Sequence, residues 1–190
     1  VLQEVYIERS ARRGLISNIY KGRVMRVLPG MQAAFIDIGL ERTAFLHASD
    51  IAKPNAFENE DIVSNIRDLV REGDEIMVQV VKDPLGNKGA RLTTYITLPS
   101  RHLVLLPRSD TIGISARIED EDERERLRTM IEDLLGENGP GSGAIVRTVA
   151  EGADKEALAA DLRYSIKLWE VVKEEFSRRS AKSLVHEDLS

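Results

Sequence analysis

Five side chains carry the chemistry for which this sequence can be read. Phe35 lies in Ala33-Ala34-Phe35-Ile36-Asp37 and Phe45 in Ala44-Phe45-Leu46-His47, two short β-type runs separated by a turn at Gly39. Two rings on neighbouring strands make a platform on which unpaired bases stack, and a nearby cation neutralises phosphate. Lys88, in the turn Gly86-Asn87-Lys88-Gly89, offers that cation. Strand alternation puts Phe35 and Asp37 on one face, Ile36 and Ile38 on the other. Isoleucines inward and phenylalanine outward favours binding. The opposite choice makes both phenylalanines core, and the residues alone leave the two readings open.

Arg147 and Thr148 form the second candidate, in a short run between a Gly-rich loop and a long helical pattern. A guanidinium forks onto phosphate oxygens and a hydroxyl adds a further hydrogen bond. The turn Ala150-Glu151-Gly152 can expose backbone donors beside them. A single arginine on a strand is more often a surface ion-pair partner, so this signal is weak by itself. Other features carry less. The Gly86–Gly89 turn lacks the glycine spacing and the following Ser or Thr of a P-loop. His47, His102 and His186 are scattered without a second ligand at metal spacing, and Asp37 reads as a structural carboxylate. No metal ligand and no catalytic residue is assigned.

These residues need elements to hold them. The 190 residues suffice for one large or two small domains, and 42% hydrophobic content supports a core. The chain has no cysteine, which removes disulfides and thiolate sites and fits a reducing, cytoplasmic setting. No apolar run spans a bilayer. A net charge of −5 argues against a uniformly basic surface, so nucleic acid would have to use a local site.

Short β-type runs at 19–27, 32–38, 43–47, 75–81 and 90–97, with Pro-Gly and Gly turns between them, predict a five-stranded OB barrel. Residues 1–8 alternate as a strand, 53–65 read as a surface loop, and 66–70 as one helical turn. Strands are expected at 102–106, 112–115 and 144–148. Helices are expected at 121–135, with Asp120 as N-cap, and at 154–176. Beyond residue 177 the chain reads as a polar end, cut rather than finished.

Several segments together resemble the ribonuclease E/G family, on its ribonuclease G side. They are Asn18-Ile19-Tyr20-Lys21-Gly22-Arg23-Val24, Pro29-Gly30-Met31-Gln32-Ala33-Ala34-Phe35-Ile36-Asp37-Ile38-Gly39, and Phe45-Leu46-His47-Ala48-Ser49-Asp50. Arg71-Glu72-Gly73, Gly86-Asn87-Lys88-Gly89-Ala90, Leu103-Val104-Leu105, Arg117-Ile118-Glu119 and Ile145-Val146-Arg147-Thr148 extend the match along nearly the whole chain. The resemblance implies an α+β fold. Its parts would be the edge of a ribonuclease-H-like domain (1–13), an S-one-type five-stranded OB-fold barrel (14–98), an α+β 5′-sensor subdomain (99–184) and the truncated start of a next region (185–190).

It also implies roles. Phe35, Phe45 and Lys88 would bind RNA. Arg147 and Thr148 would hold a 5′-monophosphate, with Val104 contributing backbone and Ser100 standing where ribonuclease E has glycine. The implied function is the RNA-binding, 5′-end-sensing N-terminal part of a single-strand-specific endoribonuclease in rRNA processing and mRNA decay. Its Mg2+-holding aspartates would follow this chain, which is expected to need no cofactor and to cut no RNA alone. Single-stranded, 5′-monophosphorylated RNA is the implied partner, and the full-length protein would be a homo-oligomer. Rival readings are a non-catalytic OB-fold RNA-binding accessory protein and a structural adaptor in an RNA-decay assembly.

Overall fold

The computed structural model describes residues 14–52, 65–138 and 141–189. The strand expected at 1–8 and nearly all of the loop expected at 53–65 lie outside the described residues. The strands are β1 (Ile19–Leu28), β2 (Ala33–Asp37), β3 (Ala44–His47), β4 (Glu75–Lys82), β5 (Arg91–Thr93), β6 (Leu98–Pro99), β7 (Leu103–Leu106), β8 (Ile112–Ile114), β9 (Gly143–Val146) and β10 (Ser183–His186). The helices are α1 (Ile66–Leu69), α2 (Glu121–Glu137) and α3 (Lys155–Arg178). They fall into two compact units, one of the described residues up to Thr94 with those from Arg178 onward, the other Tyr95–Ser177.

The first unit is a barrel. Its strands run in the order β1-β2-β3-β5-β4, and β4 pairs again with β1 to close the sheet. β3 and β5 are parallel and the other barrel pairs antiparallel, which is the OB arrangement. Closure follows from alternation: Ala34, Ile36, Leu46, Val78, Val80 and Leu92 all point inward and are buried. Each large aliphatic side chain so buried contributes about 1.5–3 kcal/mol. α1 rests on the chain beside β2, where the Gln32 side-chain oxygen accepts from the Ile66 amide at 2.9 Å.

Two outcomes differ from the sequence reading. The run expected over 90–97 ends as a barrel strand at Thr93, because Thr94 turns to the 3-10 turn after β3. The Thr94 amide and hydroxyl both donate to the Asp50 carbonyl, and Thr94 Oγ1 accepts from the Ala52 amide. The polar end beyond 177 holds β10, which pairs antiparallel with β1. Lys182 fixes it there: its amide donates to the Lys21 carbonyl and its ammonium lies 3.3 Å from Asp37. Asp37 also accepts from the Gly39 amide, so it is the structural carboxylate that its place in the strand suggested.

In the second unit the sheet order is β6-β7-β9-β8. β7 and β8 therefore do not form a hairpin around the 107–110 turn. β9 lies between them, antiparallel to β7 and parallel to β8. Leu103, Leu105, Ile114, Ala144 and Val146 make the buried face, and α2 packs on β8 and β9 with Leu127 and Ile131 fully buried. Asp120 caps α2 by accepting from the Asp122 amide, and acidic residues fill the first turn where the helix dipole favours them.

Candidate nucleic-acid interface

On the barrel, β2 sets Ile36 fully inside and leaves Phe35 outside, 37% exposed. Phe35 stands directly opposite Phe45 in the β2–β3 ladder. Directly opposed side chains have Cβ atoms ~4.5–5.5 Å apart, so the two rings share one patch. Phe45 is half-buried, and His47, two residues along the same face, meets it edge-on with ring centroids 5.4 Å apart. The patch is thus built of three rings on two strands.

Lys88 is exposed in a tight turn whose ends are joined by two hydrogen bonds between Leu85 and Lys88. Gly89 seats that turn against the start of β3. A Cβ at Gly89 would fall 2.0 Å from the Thr43 carbonyl oxygen, so no larger residue fits without backbone movement. Ala90 then accepts from the Phe45 amide at 2.9 Å. Close backbone approach thus sets the Lys88 turn against the chain entering β3. Arg91 follows in register beside Phe45, and its guanidinium pairs with Asp50 at 3.2 Å.

In the second unit, Arg147 is exposed at the end of β9. Its amide donates to the His102 carbonyl and its guanidinium to the Ser100 carbonyl at 2.7 Å. Ser100 therefore orients the arginine through its backbone, while its hydroxyl donates to Leu103. Thr148 lies 2.6 Å from the Ser115 hydroxyl, which the sequence did not single out. Val104 is half-buried on β7, in register with Pro99 on one side and Ile145 on the other. The structure brings Ser100, Arg147, Thr148 and Ser115 to one end of the sheet, with Val104 one strand-step inward.

Two supports behind this edge were also missed. Asp161 of α3 accepts from both the amide and Nδ1 of His102, at 2.6 and 2.8 Å, and so holds the residue whose carbonyl takes the Arg147 amide. Glu123 of α2 accepts from the Gly152 amide and pairs with Arg126, which itself donates to the Ala153 carbonyl. Those contacts clamp the loop that leaves Thr148. The Arg126 hydrogen bond and then the Gly152 amide hold the Glu123 carboxyl at about 2, below the ordinary 4.5. Trp169 on α3 is half-buried between Arg108 and Lys173, whose cations lie 5.8 and 5.7 Å from its ring centre.

Among the described residues no group of three or more His, Asp or Glu could hold a metal ion. No described helix is long and apolar enough to cross a membrane.

Comparison with known proteins bears on both units. Residues 16–94 match the family model of the S1 RNA binding domain, and residues 97–190 match that of the Ribonuclease E/G family. The chain belongs to the ribonuclease E/G family. It is 54% identical to ribonuclease G of Haemophilus influenzae over 191 residues, covering 98% of this chain and 38% of that protein. Ribonuclease G of Escherichia coli K12 is 51% identical, with 100% of this chain and 39% of that protein covered. Ribonuclease E of the same strain is 40% identical over 98% of this chain and 18% of that protein. The chain thus spans about two-fifths of the length of these ribonuclease G relatives, and its likeness to them exceeds that to ribonuclease E.

Proposed function

We propose that this chain is the RNA-binding and 5′-end-sensing part of a longer, single-strand-specific endoribonuclease acting in rRNA processing and mRNA decay. The observation that carries the proposal is the register of Phe35 opposite Phe45 on the outer face of an S1-type barrel. Bases of a single strand stack on those rings, and Lys88 meets the adjoining phosphate. Hydrolysis belongs to a paired-aspartate region of the longer protein, where Mg2+ supplies the activated water. The whole protein works in the cytoplasm as a homo-oligomer.

The second unit reads the RNA end. A 5′-monophosphate offers more charge and more acceptor oxygens than an internal phosphodiester. Arg147 supplies charged donors and Thr148 a hydroxyl, with Ser100 and Val104 forming the wall. A 5′-triphosphate is bulkier than such a pocket, and a 5′-hydroxyl leaves the arginine without its partner. Losing one charged hydrogen bond costs ~1.5–3 kcal/mol, or roughly ten- to a hundredfold in binding. In the full-length enzyme, Arg147→Gln should lower cleavage of 5′-monophosphorylated RNA by that factor and leave the 5′-hydroxyl form nearly unchanged. Equal loss on both substrates would remove end-sensing from Arg147.

A further inference from the structure

The barrel face extends beyond the two phenylalanines. In the ladder, Phe35 is in register with Arg26 of β1 on one side and Phe45 on the other, and Phe45 with Arg91 of β5. Arg91 in turn stands opposite Lys82 of β4. One row across the sheet thus reads Arg26, Phe35, Phe45, Arg91, Lys82. Aromatic rings occupy its centre and cations its ends.

Both ends are made by an irregularity of the same kind. Between β1 and β2 the register slips between Val24 and Arg26, so Met25 is the extra residue and Arg26 takes the place opposite Phe35. Between β4 and β5 it slips between Val80 and Lys82, so Val81 is extra and Lys82 comes opposite Arg91. A β-bulge sets two residues against one and re-aims a side chain. Here Val24 and Val80 are buried, and the bulged residues beyond them, Met25 at 47% and Val81 at 41% exposed, are turned out beside the two cations. Without the slips the row would end in methionine and valine.

The two arginines differ in their present partners. Arg26 is exposed and forms no ion pair with a described residue. Arg91 shares its charge with Asp50, yet its Nε is buried with no hydrogen-bond partner among the described residues. A guanidinium left short of an acceptor is poorly satisfied by that carboxylate. A phosphate, like a carboxylate, accepts bidentately from arginine and can take the place of Asp50.

We infer that Arg26 and Arg91 are further RNA-binding residues, each taking a backbone phosphate on either side of two bases stacked on Phe35 and Phe45, and that Arg91 exchanges Asp50 for RNA. Three strand spacings of ~4.8 Å separate the arginines, about 14 Å in all, which accommodates two bases and their flanking phosphates. The strand of RNA crosses the barrel strands instead of following one of them. This inference rests on the proposed binding of RNA by the two phenylalanines.

The test is equilibrium binding of a 3′-labelled, 5′-hydroxyl decauridine to the 190-residue chain across roughly 50 to 200 mM salt. Removing one phosphate-bound cation lowers the slope of log affinity against log salt by about 0.7 on a single strand. Arg26→Ala and Arg91→Ala should each show that loss, Arg91→Lys should restore the slope, and Asp50→Asn should tighten binding. Wild-type slopes in both folded alanine variants would overturn the inference while leaving the phenylalanines in place. Should Arg91→Ala fail to fold, a wild-type slope in Arg26→Ala together with unchanged affinity in Asp50→Asn would overturn it equally. Absence of binding by the wild-type chain, or full affinity in Phe35→Ala and Phe45→Ala, would instead overturn the proposed function.

Discussion

The Thr148 hydroxyl lies 2.6 Å from the hydroxyl of Ser115, a residue brought to it by the parallel pairing of β8 with β9. That bond fixes which way Thr148 points while Arg147 is held by the Ser100 carbonyl. Ser115→Ala should cost about 0.5–1.5 kcal/mol of stability, the net worth of one such bond. It should also reduce the preference for 5′-monophosphate over 5′-hydroxyl RNA, less than Arg147→Gln does. Binding of two oligonucleotides differing in that group measures it. An unchanged ratio would leave Ser115 a purely structural partner.

The Lys88 turn separates charge from position. Lys88→Ala should weaken RNA binding without changing the melting temperature, since the side chain is exposed. Gly89→Ala should do both, because the added Cβ falls 2.0 Å from the Thr43 carbonyl and must push the turn off β3. Forced overpacking of this kind costs ~1–3 kcal/mol. Thermal melts beside binding curves distinguish the two, and equal melting temperatures for both variants would contradict the close approach.

Glu123 makes a pH-dependent contribution whose sign is fixed by its depressed carboxyl. Its folded value, about 2, lies below the ordinary 4.5, so the stabilisation is fully present above pH 4.5 and is lost as pH falls toward 2. Glu123→Gln should lower the melting temperature at pH 7, and the gap from wild type should narrow by pH 3. A gap that stays constant over that range would show that the Gly152 amide and Arg126 do not hold the carboxylate.

Much of the fold was legible because its signals are local. The period of two in Ala34, Phe35 and Ile36 put isoleucine and phenylalanine on opposite faces but left open which face was inside, and the packing of the barrel sets Ile36 inward. Asp120 and the apolar stripe behind it marked α2 at its true start. What escaped depends on pairing between distant segments. β10 buries Val185 and leaves its neighbours half-buried, so its four residues carry no strand signal of their own. No Gly or Pro marks the bulges at Met25 and Val81, and nothing near Ser115 announces that β8 runs parallel to β9. Nothing in the sequence around Arg26 and Arg91 sets them apart, and only the ladder places them in one row with the rings.

The central claim is that the barrel binds single-stranded RNA on Phe35 and Phe45. Its most direct measurement is the affinity of a short unstructured RNA for the chain, wild type against Phe35→Ala, Phe45→Ala and the double variant. Each lost stack should cost ~1–3 kcal/mol, roughly fivefold to more than a hundredfold in affinity, with the double variant weakest. Circular dichroism should show the barrel intact, because Ile36 and Leu46 hold the core behind both rings. A folded double variant that binds RNA as tightly as the wild type would contradict the account.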